Sequence, residues 1–243
     1  AMYERLYQCM KEYNCDIVDC RMMRDYPNGR TYIYHKMPNR LDAEEKSIME
    51  GGTHWIDRFG EEGYGGGVVT GLYKKELLLK SGVKFPEKIL YEDNYWVAIL
   101  MLYVKRYFHL AEDLYHYRQR EDSTVHKKNA MHHVDRLAIE EMKLKTYHDL
   151  HIYERYREII EQDFLREYYC RTLLTMLVKY DNSPYDVFCH MNRRVMELYP
   201  DYKKTELAQN EGIGKILLGL IDRDLDEVQF MEIKKIILSY YGR

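Results

Sequence analysis

The feature that most constrains the fold is a change of sequence pattern close to His126. Before this residue, short β-branched runs alternate with amphipathic segments and glycine-containing turns, whereas long helical periodicities fill the rest of the chain. A chain of 243 residues is long enough for two small domains. We therefore predict an α/β domain over residues 1–125, followed by a mostly α-helical domain over residues 126–243.

The first domain begins with a helix, a strand and a hairpin turn. Apolar residues at helical spacing predict a helix over Met2–Asn14, and the β-branched pair Ile17-Val18 predicts a strand over Cys15–Arg24. Pro27-Asn28-Gly29 is a turn sequence, because Asn-Gly readily takes the positive φ angles of a tight reversal. Thr31–His35 is therefore predicted to return as the second arm of a hairpin.

Three more elements are predicted before residue 81. Leu41–Glu50 has the pattern of a short helix with Asp42 as its N-cap. Val68–Tyr73 is predicted to be a strand, and Lys74–Lys80 a helix that ends at the following Ser-Gly pair.

The second domain is predicted to consist of long helices separated by breaks rich in Gly, Pro, Asn and Asp. The helical patterns cover residues 127–150, 153–180, 184–199 and 225–241. No residue pattern within them points to a catalytic site, and we find no repeat of fixed period.

Composition excludes several classes of protein. A net charge of -3 and a pI near 6.4 give no electrostatic basis for binding nucleic acid. No apolar run approaches the ~20 residues that a membrane-spanning helix needs, and no secretory signal is recognisable. The five cysteines show no Cys-x-x-Cys spacing, which indicates reduced and mostly buried thiols.

Two adjacent carboxylates, Glu92 and Asp93, open an apolar helix predicted over Tyr95–Tyr103, directly after the extended segment Phe85–Tyr91. Neighbouring residues at a helix start point in different directions, so one of the two at most can face a substrate. Acidic residues at this position also complement the helix dipole without any catalytic role. Both interpretations are compatible with the local pattern.

A second segment, Leu114–Thr124, combines a tyrosine-rich strand pattern with Arg118 and Arg120. Guanidinium groups suit the bidentate binding of diphosphate oxygens. The alternative for these arginines is a surface ion pair with the following Glu121 or Asp122.

These two segments, in this order, resemble the second half of a bacterial family 2 glycosyltransferase of the GT-A type. In that family a "yEDn" motif precedes a helix and a "lYyYRqReDSt" segment follows it, and the resemblance spans about Met2 to Thr124. It implies transfer of a sugar from a nucleotide-diphospho-sugar donor to a hydroxyl acceptor, with inversion. The implied base is Asp93, with Glu92 as a cap or supporting partner and Arg118 or Arg120 near the departing diphosphate.

The resemblance also implies that a nucleotide-binding half, ending in an Asp-x-Asp metal motif, precedes this sequence. We therefore expect Mg²⁺ or Mn²⁺ in the full-length enzyme and none bound by this chain alone, which we expect to be inactive. Loss of the preceding strands would expose a sheet edge, through which the chain is expected to self-associate. The usual setting of such enzymes is glycan or glycolipid assembly at the cytoplasmic face of the membrane.

In one segment the sequence departs from the family pattern. Thr70 and Gly71 stand where the family more often has Trp and Lys, so an acceptor role for Val69–Leu78 is left open.

Other residues have a functional interpretation beside a structural one. His126 is a candidate metal ligand that is also compatible with a solvated side chain. Trp55 and Tyr64, beside the glycines 65–67, are candidate stacking residues for an acceptor sugar, whereas Trp96 lies inside an apolar helix and is predicted to be core.

The main alternative to a transferase is a non-catalytic module, either a helical protein-interaction domain or a carbohydrate-binding domain. The long helical half without a chemical pattern favours this alternative. A small hydrolase that uses Glu92 and Asp93 is a third option, which lacks a second catalytic group at convincing spacing.

Overall fold

A computed structural model describes residues 1–33, 36–52, 68–120 and 123–240, with the side chains of Val125 and Tyr240 left out. The chain forms two compact units. The sheet unit contains Ala1–Glu87 and Glu92–Ser123, and the helical unit contains Lys88–Tyr91 and Thr124–Arg243. The sheet unit mixes helices and strands, as predicted, and the long second stretch is helical.

The described part of the sheet unit contains three α-helices and five strands. The helices are α1 (Met2–Glu12), α2 (Lys75–Ser81) and α3 (Glu92–Met101). The strands are β1 (Ile17–Asp25), β2 (Thr31–Ile33), β3 (Arg40–Ala43), β4 (Gly71–Tyr73) and β5 (Arg106–Arg118).

The long strands β1 and β5 form the centre of the sheet. They pair in parallel from Ile17 and Tyr107 onward, with register shifts on either side of Arg21. On the other side of β1, the antiparallel strands β4 and β2 pair with its beginning and its end, respectively. Strand β3 runs antiparallel to the first residues of β5.

Helix α1 covers one face of this sheet. Its buried residues Leu6, Cys9 and Met10 belong to one core cluster with strand residues that include Val18 and Phe108. The helical spacing of these three residues places them on one face of α1, which packs on the sheet, whereas the first four residues of β1 are all buried, so both faces of this strand are covered. The predicted first helix and first strand are confirmed, with slightly different ends.

Two further predictions in the first domain are also confirmed. Strand β2 pairs with the end of β1 as a hairpin, and Gly29 takes a positive φ of 78° in the turn. Helix α2 ends at Gly82, whose left-handed conformation is a common helix terminator.

The predicted helix over Leu41–Glu50 is wrong. Arg40–Ala43 is instead strand β3, because the edge of β5 supplies hydrogen-bond partners for its backbone. Asp42 is not an N-cap: its carboxylate is 5 % exposed and lies 3.1 Å from the Arg40 guanidinium. Only Ile48–Glu50 is helical, as one 3-10 turn that follows Ser47.

The predicted strand over Val68–Tyr73 is correct only in its second half. Val68–Thr70 forms a 3-10 turn, and the strand β4 begins at Gly71. An added Cβ at Gly71 would lie 2.8 Å from the Tyr73 hydroxyl, so the absence of a side chain lets the tyrosine ring occupy this space.

The described part of the helical unit contains seven α-helices. They are α4 (Asp135–Asp149), α5 (Arg157–Phe164), α6 (Thr172–Lys179), α7 (Tyr185–Leu198), α8 (Glu206–Gln209), α9 (Ile213–Leu218) and α10 (Glu227–Tyr240). A π-helical stretch, Leu165–Arg171, joins α5 to α6. Among the described residues, no helix has the length and apolar character needed to cross a membrane.

Aromatic side chains form much of the core of the helical unit. Phe164 stacks on Tyr168 with ring centroids 4.5 Å apart, and Phe188 stacks on Phe230 at 4.3 Å. Tyr168 and Tyr169 are fully buried in the π-helical stretch. These two tyrosines are therefore core residues of the helical unit.

A charged network is buried between α4 and α5. The Lys143 ammonium lies 2.7 Å from the Glu140 carboxylate and 2.9 Å from that of Asp163, and Glu140 is 2 % exposed. Burial raises the pKa of Glu140 to about 7. Burial also opposes the charge on Lys143, but the carboxylates of Asp163 and Glu140 raise its pKa above the usual value. Lys143 is therefore the cation shared by the buried Glu140 carboxylate and the partly buried Asp163 carboxylate.

We predict that Lys143→Met destabilises the helical unit by about 3 kcal/mol, because it removes the counter-ion of the buried Glu140 carboxylate. The matched control is Lys145→Met, which removes an exposed pair with Asp149 and should cost less than ~0.5 kcal/mol. The free energy of unfolding in urea, followed by helical circular dichroism, measures both. Equal stability of the two variants would contradict the role of Lys143.

The raised pKa of Glu140 predicts a pH dependence of stability. Between about pH 4.5 and 7 the folded protein binds a proton at Glu140 that the unfolded chain has released. Stability should therefore fall as the pH rises through this window, by about 1–3 kcal/mol. Glu140→Gln should lose this slope, and urea unfolding of both proteins at pH 5, 6 and 7.5 measures the difference. Parallel pH profiles would contradict the prediction.

Candidate functional site

The candidate site is the first turn of helix α3, which begins with Glu92 and Asp93 as predicted. Both side chains are partly exposed. An oxygen of the Asp93 carboxylate accepts a hydrogen bond from the backbone N–H of Asn94 at 2.9 Å. The site thus offers a carboxylate at the start of a helix, where the backbone N–H groups favour negative charge.

The side chain of Trp96 anchors this turn of α3 to the sheet unit. Its ring stacks on Phe85 with centroids 4.7 Å apart and planes at 7°, and it meets the edge of Tyr73 at 5.1 Å. Trp96 is 6 % exposed, which confirms the prediction that it belongs to the core. Since Trp96 lies one turn after Asp93, this packing holds the helix start that carries the carboxylate.

A buried carboxylate–imidazole pair lies on the same sheet face as Tyr73. Asp19 of β1 and His109 of β5 are directly opposite in register, and the Asp19 carboxylate lies 2.8 Å from Nδ1 of His109. Each residue is 3 % exposed. In the tautomer with the proton on Nδ1, this N–H donates a hydrogen bond to the Asp19 carboxylate, and Nε2 is the ring nitrogen that can accept one.

Sequence analysis missed this pair. The remaining oxygen of Asp19 and Nε2 of His109 are buried without a hydrogen-bond partner among the residues described here. Asp19 also lines a cavity of about 10 Å³ with Tyr73, Tyr107 and Leu100, a volume close to the lower limit for one water molecule. The available signal was a charged residue inside the apolar run that follows Cys15, but only strand pairing shows that His109 is its partner.

The predicted diphosphate-binding residues lie at the end of β5. Arg118 is the last residue of the strand, stands opposite Asp25 in the parallel register, and is exposed, as is Arg120. The alternative partners Glu121 and Asp122 lie outside the described residues. The hydrogen bonds and ion pairs of the described chain do not join either arginine to Asp93.

Charged pairs precede Arg118 along the same two strands. The guanidinium of Arg21 lies 3.0 Å from Asp113, and the carboxylate of Asp25 lies 3.0 Å from Nδ1 of His116. Arg21 and Asp113 lie between the two register shifts of the β1–β5 pairing, and Asp25 and His116 follow them. Irregularities of this kind re-aim side chains and are common beside functional sites.

His126 ends a 3-10 turn, Thr124–His126, in the helical unit, and its side chain is exposed. No three His, Cys, Asp or Glu side chains come close enough to hold a metal ion in the part of the chain that the structure describes. The described residues therefore do not fit a metal site, and we derive no step through a metal. The predicted acceptor residues Trp55 and Tyr64 lie outside the described residues.

Comparison with known proteins gives similarity at the level of fold. No protein-family model and no curated protein matches the chain. Its structure is similar to a crystal structure of residues 1–349 of TarS from S. aureus, a wall teichoic acid glycosyltransferase, with a TM-score of 0.57 and 14% sequence identity. The match covers 99% of this chain and 62% of that chain, so the likeness shows a shared fold over part of the TarS length.

Proposed function

We propose that this chain is the acceptor-side part of an inverting glycosyltransferase, followed by a helical domain. The observation that carries the proposal is the partly exposed Asp93 at the start of a well-anchored helix, in a unit whose sequence order resembles family 2 enzymes. The fold likeness to TarS supports it independently of the motifs.

The proposed reaction assigns one role to Asp93. The acceptor hydroxyl oxygen forms a bond to the anomeric carbon of the donor sugar while its proton passes to the Asp93 carboxylate. The bond from that carbon to the diphosphate oxygen breaks, and the nucleoside diphosphate leaves with the electron pair. A base in this position contributes ~10²–10⁴-fold to the rate, provided that it is held in place. The packing of Trp96 against Phe85 and Tyr73 provides such support.

The remaining roles follow the same proposal. Glu92 caps the helix or supports Asp93, because neighbouring residues at a helix start point in different directions. Arg118 and Arg120 bind the leaving diphosphate, which is consistent with their exposure at the carboxyl end of a parallel strand, where open α/β sheets bind ligands. We propose Trp55 and Tyr64 as acceptor contacts on the sequence pattern alone.

The donor pocket is proposed to require sequence that precedes this chain in a longer protein. Mg²⁺ or Mn²⁺ bound there would neutralise charge on the diphosphate. We propose a cytoplasmic location at the membrane face and a glycan or glycolipid acceptor, in line with the family resemblance.

A carbohydrate-binding module is the second candidate, and one groove in the helical unit bears on it. The groove has a volume of about 390 Å³ and is lined by Tyr199 and Tyr202 beside charged residues such as Arg157 and Glu161. The two tyrosines are only 4 % and 2 % exposed, so they offer little ring surface for stacking on a sugar. We therefore favour the transferase.

We predict that Asp93→Asn lowers sugar transfer by about 10²–10⁴-fold in the protein expressed from its complete gene, because the amide cannot accept the proton. The matched control is Glu92→Gln, which should keep transfer within about tenfold of the wild type if Glu92 only caps the helix. Release of nucleoside diphosphate in the presence of acceptor measures both rates. Full activity of Asp93→Asn would refute the assignment, and identical unfolding curves would show that both variants fold.

We also predict that residues 1–243 alone transfer no sugar and bind nucleoside diphosphates more weakly than ~1 mM, even with Mn²⁺. Titration calorimetry with uridine and guanosine diphosphates tests the binding. Millimolar or tighter affinity would show that this chain contains a donor site of its own.

A further inference from the structure

Tyr73, the last residue of β4, folds its side chain back across its own strand. An added Cβ at Gly71 would lie 2.8 Å from the Tyr73 hydroxyl oxygen and 2.9 Å from two carbons of its ring, so the ring covers the glycine directly. The hydroxyl donates a hydrogen bond to the backbone oxygen of Val68 at 3.4 Å. The side chain thus closes the segment 68–73 on itself and leaves no room for a side chain at Gly71.

The surroundings of the Tyr73 ring favour this placement. Asp19 stands opposite Gly71 in the β1–β4 register, and Asp19 and Tyr73 line the same cavity of about 10 Å³. Burial, and to a lesser extent the Asp19 carboxylate, raises the pKa of Tyr73, so the hydroxyl remains a hydrogen-bond donor at ordinary pH. A cavity of this size gives the ring little space into which it could move.

Trp96 of α3 packs between Tyr73 and Phe85, and these two neighbours are not held equally. The edge contact with Tyr73 has ring centroids 5.1 Å apart, and the stacked contact with Phe85 has centroids 4.7 Å apart. Phe85 is 43 % exposed and lies in a segment without helix or strand, whereas Tyr73 belongs to a strand that pairs with β1. The sheet therefore fixes the position of Trp96 through Tyr73.

We propose that Gly71 and Tyr73 are positioning residues for the transfer reaction: the Tyr73 ring, folded over Gly71, is the surface against which Trp96 packs, and this packing sets the place of Asp93 in the first turn of α3. All four residues belong to the sheet unit. The catalytic part of this inference rests on the proposed function, whereas the structural part does not. Gly71 stands where the family more often has Lys, and the ring gives this departure a physical reason.

A methyl group at Gly71 should displace the ring. Ordinary van der Waals contact begins at 3.4 Å, so the ring and the new Cβ must separate by about 0.6 Å in Gly71→Ala. Through Trp96 this shift reaches the turn that carries Asp93, and a misplacement of ~1 Å can cost about 10²-fold in rate. We expect kcat to fall about 3–30-fold, with KM unchanged, because neither Gly71 nor Tyr73 touches substrate in this scheme.

The first experiment is a double-mutant cycle in the 243-residue chain. Gly71→Ala should raise the equilibrium constant of unfolding about 5–100-fold, as overpacking of a well-packed interior does. In the Tyr73→Leu background the same change should no longer raise this constant, because the added methyl group meets no ring. Urea unfolding of all four proteins measures the coupling between the two positions.

Tyr73→Phe separates the role of the ring from that of its hydroxyl. It keeps the two ring carbons 2.9 Å from the added Cβ, so Gly71→Ala should still be destabilising in this background. The indole N–H signal of Trp96 in NMR spectra, assigned with Trp55→Phe, reports the packing directly. Gly71→Ala should shift this signal in the wild-type and Tyr73→Phe backgrounds and leave it unchanged in the Tyr73→Leu background.

Two results would overturn the structural part of the proposal. One is an equal cost of Gly71→Ala with and without the Tyr73 ring, which would show that the two positions act independently. The other is an unshifted Trp96 signal in Gly71→Ala despite a loss of stability, because the displacement would then end before it reaches α3.

The second experiment measures transfer by the protein from the complete gene. Gly71→Ala should lower kcat about 3–30-fold with an unchanged KM, and it should cause no further loss in the Tyr73→Leu background. An unchanged kcat despite a shifted Trp96 signal would overturn the positioning role. If the wild-type protein transfers no sugar, the proposed function fails together with the catalytic part, while the unfolding cycle and the indole signal still decide the structural part.

Discussion

The parallel pairing of β1 with β5 is the contact on which the rest of the sheet unit depends. Every other described strand of the sheet pairs with one of these two, and helix α1 covers one face of them. On the opposite face the pairing brings Asp19 against His109 beneath residues of α3. Because these two strands are far apart in sequence, each buried polar side chain acquires its partner only when the sheet forms.

The candidate site is a consequence of that framework. Trp96 packs on Tyr73, the last residue of β4, which pairs with β1, and on Phe85 from the preceding loop. These rings hold the first turn of α3. A partly exposed carboxylate is thus supported by apolar packing within the sheet unit.

Elements with strong local signals could be predicted from the sequence. The spacing of Leu6, Cys9 and Met10 indicates α1, Asn-Gly indicates the hairpin, and the acidic pair indicates the start of α3. Leu41–Glu50 was mispredicted because its helical pattern is weak and pairing with β5 satisfies its backbone instead. A weak local helix propensity is overridden when the segment can pair with a strand of the folded sheet.

The sequence by itself determined the α/β first part, the helical second part and the acidic residues that open α3, since all of these follow from periodicity and local order. Only the tertiary structure decided that Asp19 meets His109, that Lys143 pairs with Asp163 as well as Glu140, and that Arg136 reaches Tyr91. These contacts join residues whose local sequence contains no sign of one another. Their energies depend on burial and on the low dielectric of the interior, and both exist only after the chain has folded.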